Sequence, residues 1–120
     1  MIKKQIDSFK YAFEGIFTAL KSECHLQIHS VILILVLVAG WYFEISTSEW
    51  IYCLLCFALV ISAELFNSSI EALVDLASPD QHPLAKKTKD ISAGAVLFSA
   101  IIAAIVGIII FLPKAMMLFD

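Results

Sequence analysis

The sequence predicts an all-α integral membrane protein, with an N-terminal amphipathic surface helix followed by three transmembrane helices. Three observations carry that reading. Of the 120 residues, 61% are hydrophobic and only 16% charged, and the mean hydropathy is +0.92, values of membrane proteins rather than soluble domains. Apolar runs at 31–43, 50–63 and 91–112 each reach the ~20 residues needed to cross a ~30 Å hydrocarbon core once their flanking turns are counted. The lysines fall almost entirely to one side of those runs.

The first element is expected over residues 1–22. Ile2, Ile6, Phe9, Phe13, Ile16, Phe17 and Leu20 recur at helical spacing, with Lys3, Lys4, Asp7, Lys10, Glu14 and Lys21 between them, the pattern of a helix lying in the membrane interface. The first span is expected at about 26–46 and the second at 49–77. Trp41 and Tyr42 close the first and Trp50 and Tyr52 open the second, an aromatic belt at one membrane surface. Ser78-Pro79-Asp80-Gln81-His82-Pro83 is a series of turn formers, giving a cytosolic loop over 78–89 whose end leads helically into a third span at 90–112. In that span Ala95, Ser99, Ala103 and Gly107 recur every four residues, a stripe suited to close packing. The whole chain reads as one membrane domain.

Charge sets the orientation. Lys3, Lys4, Lys10 and Lys21 precede the first span, Lys86, Lys87 and Lys89 lie between the second and third, and the 44–49 loop has none. By the positive-inside rule the N-terminus and the 78–89 loop face the cytoplasm, and the C-terminus faces outward. No cleavable signal is apparent, because the first apolar run ends in Gly40-Trp41-Tyr42 rather than a small-residue cleavage site. Cys24, Cys53 and Cys56 are odd in number, and the latter two lie within a span, where cysteine packs as a small apolar residue. No nucleic-acid partner is expected.

The second span carries a polar stripe. At roughly 100° per residue, Asn67, Glu71 and Asp75 fall about −60°, −20° and +20° from Glu64, so all four share a face about 80° wide. An ionised carboxylate at mid-bilayer costs about 2.5–3.5 kcal/mol on insertion scales, so the stripe marks a functional site. At 1.5 Å rise per residue, Glu64 lies about 21 Å inward from Trp50 and Glu71 about 31 Å, which places Glu64 below the inner interface and Glu71 at it. The same ruler puts Glu23 about 27 Å from Trp41 and Asp90 about 33 Å from Leu112, so Glu23, Glu71, Lys89 and Asp90 share one level.

Carboxylates at two depths beside a lysine fit phosphoryl transfer onto a membrane-dissolved hydroxyl. Glu23 and Glu71 can supply the one or two carboxylates with which Mg2+ is usually held beside nucleotide phosphates. Glu64 would meet the lipid hydroxyl, and Asn67, one turn away, can orient either group. There is no glycine-rich phosphate loop, so a nucleotide site must be built from helix ends and side chains. His25 and His29 face the same way at i,i+4, but without a third ligand a zinc site is not expected. A proton-coupled transport subunit is the alternative of a different class, since intramembrane carboxylates also serve as proton relays.

The pattern Glu64-x-x-Asn67-x-x-x-Glu71-x-x-x-Asp75, followed by His82-Pro83-Leu84-Ala85-Lys86 and Lys89-Asp90-Ile91-Ser92-Ala93-Gly94-Ala95-Val96, resembles the small bacterial diacylglycerol kinase and undecaprenol kinase family. Glu23 and the stretch Ser8-Phe9-Lys10-Tyr11-Ala12-Phe13-Glu14-Gly15 extend the resemblance over nearly the whole chain. It implies Glu64 as catalytic base, Asn67 and Asp75 as supporting polar groups, and Glu23 and Glu71 as ligands of Mg2+ and ATP. Further ATP contacts are implied at Tyr11, Asp80, Gln81, His82, Lys89 and Asp90, and lipid contacts at Glu64 and Lys4. Also implied are a bacterial cytoplasmic membrane and a homotrimer whose active sites are shared between subunits. Lys4 and Gln27 depart from the family, which often has arginine there, and lysine cannot reproduce a bidentate phosphate contact. His82-Pro83-Leu84-Ala85-Lys86 and Phe111-Leu112-Pro113-Lys114 lean towards the undecaprenol kinase branch, with diacylglycerol as the alternative acceptor.

Overall fold

The computed structural model describes all residues from Met1 to Asp120. Four helices follow one another: α1 (Ile2–Ser22), α2 (Cys24–Tyr42), α3 (Thr47–Ala77) and α4 (Pro83–Met117). The last three are each long and apolar enough to cross a membrane. The chain folds as an all-α membrane protein.

α1 and α2 are separated by one residue, Glu23, in extended conformation at φ −101° and ψ 109°. The elbow is held by Gln27, whose Nε2 donates to Leu20 O at 2.9 Å and to Lys21 O at 3.3 Å. These carbonyls belong to the last turn of α1, where no further backbone N–H arrives to satisfy them. No residue of α1 is buried, so its apolar face is left for lipid or for a neighbouring chain. The first span ends at Tyr42 rather than near residue 46, because Glu44 takes φ 52° and turns the chain. α3 then starts from a capping box, in which Ser46 Oγ accepts from Glu49 N while Glu49 Oε1 accepts from Ser46 N.

Between α3 and α4 the turn covers only residues 78–82. α4 begins at Pro83, and residues 83–89, the cytosolic segment expected to lead helically into the third span, form its first two turns. Pro83 sits where a missing N–H costs nothing, and His82 caps the helix by accepting Leu84 N–H on Nδ1 at 3.0 Å. Helices do not stop at the hydrocarbon boundary, and at 1.5 Å per residue the 31 residues of α3 and 35 of α4 span about 46 and 52 Å. Both therefore project beyond a ~30 Å core.

α3 and α4 form the main antiparallel pair, α2 lies along α3, and α1 touches α2 and α3 but not α4. Two ion pairs fix the register of α3 on α4: Glu49 with Lys114 at 2.7 Å, and Asp75 with Lys89 at 2.5 Å. Ten residues are buried in the chain alone. Five of them are apolar, and Ile45, Cys53 and Ile110 cluster near the tryptophan end with Val36, Phe43, Trp50 and Phe111 packed around them. Phe66, Leu73, Phe98 and Ile109 point outward, as lipid-facing or neighbour-facing side chains do.

Candidate functional site

Cys53, Val60, Glu64 and Asn67 make up the buried face of α3. The face is apolar near the tryptophan end and turns polar halfway down. Glu64 is 2% exposed and Asn67 8%, Glu71 is half-buried, and Asp75 is exposed. The four-residue stripe therefore runs from a dry interior to water, the gradient expected from the depth of each residue. In the register set by the two ion pairs, Ser99 falls opposite Glu64 and Ser92 opposite Glu71. Both serines are buried, and their short side chains let α4 pass beside the stripe.

Glu64 lacks a hydrogen-bond donor. His29 of α2 places Nε2 at 3.2 Å from Glu64 Oε1, yet the ring N–H does not point along that contact, and Oε1 completes no hydrogen bond. The pair is a close polar contact rather than a formed ion pair. Asn67 turns its amide nitrogen to Glu71 Oε1 over a long 3.4 Å, and its own Oδ1 is also unpartnered. Two adjacent, unsatisfied, buried acceptors are costly, at about 1–3 kcal/mol each. Such groups in a native fold call for a partner that this chain alone does not supply.

The lysine end gathers most of the other expected residues. Val74, Asp75, Ser78, Asp80, Gln81, His82, Lys86 and Lys89 line a polar depression of about 750 Å³ around the α3–α4 turn. That volume lies within the roughly 300–1,000 Å³ of small-molecule sites. Lys89 is bound to Asp75, one turn beyond Glu71. The Asp75 carboxylate, through that hydrogen bond, holds the Lys89 ammonium above its ordinary pKa, with a weaker pull from Glu71. Asp90 is not turned into the site but pairs with Lys86 on its own helix at 2.5 Å, which raises the Lys86 pKa. Both lysines stay cationic at any physiological pH.

Glu23 sits half-buried at the α1–α2 elbow and makes no cap hydrogen bond there, so its carboxylate is uncommitted. No group of three or more histidine, cysteine or acidic side chains that could hold a metal ion comes together. Hard carboxylate donors such as Glu23 and Glu71 suit Mg2+, which rarely relies on an all-protein cage. Tyr11 and Lys4 are exposed on α1, outside the depression. Gln27 acts as the cap of α1 described above. In the stripe on α4, Ser99 is buried, while Ala103 and Gly107 line an apolar cavity against α2 and α3. His29 was missed as a partner of Glu64, although the depth ruler places it about 18 Å from Trp41, close to the level of Glu64.

The sequence profile of the prokaryotic diacylglycerol kinases matches residues 10–111. The chain belongs to that family. It is 42% identical over 107 residues to an undecaprenol kinase of Bacillus subtilis, covering 89% of this chain and 87% of the relative. It is 36% identical to a diacylglycerol kinase of Synechocystis over 92% of this chain and 64% of that longer relative. To the diacylglycerol kinase of Escherichia coli it is 28% identical over 79% and 78%. By family the protein is a lipid kinase and a multi-pass membrane protein, and the transport alternative finds no support.

Proposed function

We propose that the protein transfers the γ-phosphoryl group of ATP, with Mg2+, to the hydroxyl of a membrane lipid, with undecaprenol preferred over diacylglycerol. One observation carries the reading: Glu64 holds an unpartnered carboxylate oxygen in a dry, membrane-embedded face. A lipid hydroxyl donating to that oxygen would satisfy it, and Glu64 would accept the proton as the hydroxyl oxygen attacks phosphorus. Asn67, with its own free oxygen and its amide towards Glu71, bridges the lipid level and the phosphate level. The undecaprenol preference rests on the 42% identity to the Bacillus enzyme and on the two short motifs above.

Glu23 and Glu71 would hold Mg2+, and Asp80, Gln81, His82 and Lys89 would take the nucleotide in the depression, with Tyr11 and Asp90 at its margin. Held by the Glu23 and Glu71 carboxylates, Mg2+ would supply positive charge to offset that of the phosphates. His82 Nδ1 is occupied as helix cap, which leaves Nε2 to face the nucleotide. Lys4 would meet the lipid headgroup region as a point charge. A homotrimer with sites shared between copies would cover part of the exposed apolar faces of α1 and α4. In a bacterial cytoplasmic membrane, the lysine bias would put the N-terminus inside and the C-terminus outside.

The test is a side-by-side assay of purified protein with labelled ATP and either undecaprenol or diacylglycerol in mixed micelles. A higher kcat/KM for undecaprenol supports the preference. The reverse order assigns the acceptor to diacylglycerol, equal values remove the preference for either lipid, and label in neither lipid removes the kinase reading.

A further inference from the structure

We infer that His29 is a positioning residue for Glu64, its imidazole Nε2–H being the donor that holds the Glu64 carboxylate towards the acceptor hydroxyl. The inference rests on the reading of Glu64 as base and adds a residue from a different helix. Nε2 lies 3.2 Å from Glu64 Oε1, between side chains 20% and 3% exposed. Other donors at that level are spent or turned away. Ser99, opposite on α4, gives its hydroxyl proton to Val96 O at 2.9 Å, and Asn67 directs its amide nitrogen to Glu71. His29 is the remaining donor facing the base.

Its surroundings argue in the same direction. His29 lines a cavity of about 260 Å³ with Ile32, Val36, Phe57, Val60 and Ala103, and is the one strongly polar side chain in that lining. An imidazole among aliphatic groups needs a hydrogen-bond partner, and Glu64 is the one within reach. The ring N–H lies off the line to Oε1, and holding the carboxylate requires it to turn onto that line. Catalytic hydrogen bonds are commonly loose before substrate arrives and tighten afterwards.

In the reaction the lipid O–H bond breaks and its proton passes to Glu64. The lipid oxygen bonds to the γ-phosphorus, and the bond from that phosphorus to the β-bridging oxygen breaks with its electron pair, leaving ADP. His29 keeps its proton throughout. Its contribution is orientation of the carboxylate, so it acts through Glu64 rather than on substrate.

The test compares His29→Leu, which fits the apolar lining but removes the donor, with His29→Gln, whose amide nitrogen can restore one. His29→Leu is expected to lower kcat by roughly 10–100-fold, the worth of a hydrogen bond to a carboxylate, with KM for Mg-ATP unchanged. His29→Gln is expected to recover most of that loss. In a Glu64→Gln background, His29→Leu should add no further loss, because both act as one unit. In protein labelled with ¹⁵N-histidine, the Nε2 resonance of His29 should move on Glu64→Gln. Unchanged kcat in His29→Leu, equal loss in Leu and Gln variants, fully multiplicative losses, or an unmoved resonance would each overturn the inference. Absence of wild-type turnover on either lipid overturns instead the kinase reading beneath it, and is seen before any His29 variant is made.

Discussion

Gly40→Ala separates the scaffold from the chemistry. A Cβ at Gly40 would lie 2.6 Å from Trp50 Cη2, 2.9 Å from Trp50 Cζ2 and 3.1 Å from Ile45 Cδ1. Carbon atoms in contact sit at about 3.5–4.0 Å, so the overlap with the indole is roughly 1 Å. The ring is rigid and half-buried, and Ile45 beneath it is 7% exposed, so neither moves without disturbing the tryptophan-end core. Overpacking of this kind costs about 1–3 kcal/mol, offset by up to about 1 kcal/mol from the better helix propensity of alanine. The balance is a loss of up to about 3 kcal/mol, centred on about 1–2 kcal/mol. Gly40 lies about 16 Å along α2 from His29, so turnover by the folded fraction should be untouched. Thermal unfolding in detergent micelles, with lipid phosphorylation measured in parallel, reads both quantities. A variant as stable as wild type, or one that stays folded with altered kcat, refutes the reasoning.

Three further outcomes are expected. Glu71→Gln should weaken Mg-ATP, raising its KM by roughly 10–100-fold, the range for a disturbed metal site; an unchanged nucleotide titration counts against the assignment. Lys114→Ala loses the bonds to Glu49 Oε2 at 2.7 Å and Ile110 O at 3.3 Å, and should cost about 1 kcal/mol in thermal unfolding without changing kcat. At Gly107 an added Cβ meets nothing within 4 Å, so Gly107→Ala should be neutral or stabilising in an isolated chain. A clear loss of stability at this position, measured alongside oligomer size in micelles, would show that the cavity Gly107 lines is filled in the assembled protein.

The spans were legible because long apolar runs in a 120-residue chain leave few alternatives, and the surface helix because its apolar residues repeat every three to four positions. The start of α4 was less so. Lys86, Lys87, Thr88 and Lys89 do not suit hydrocarbon, so the span is expected only from 90, while the helical lead-in expected after the turn formers is the start of α4 at Pro83. In the site, helical periodicity and rise gave the face and depth of Glu64, Asn67, Glu71 and Asp75 without any contact being known. What they could not give is azimuth between helices. Depth alone put Lys89 and Asp90 level with Glu71, whereas Lys89 reaches across to Asp75 and Asp90 turns back to Lys86. The approach of His29 to Glu64 likewise depends on how α2 is rotated against α3, which neither sequence records by itself.

The most direct test of Glu64 as base is transfer of labelled γ-phosphate into lipid by Glu64→Gln, with nucleotide binding measured on the same preparation. The account predicts unchanged Mg-ATP affinity and turnover lowered by about 10²–10⁴-fold, the range for loss of a general base. Near-normal turnover in mixed micelles would contradict it.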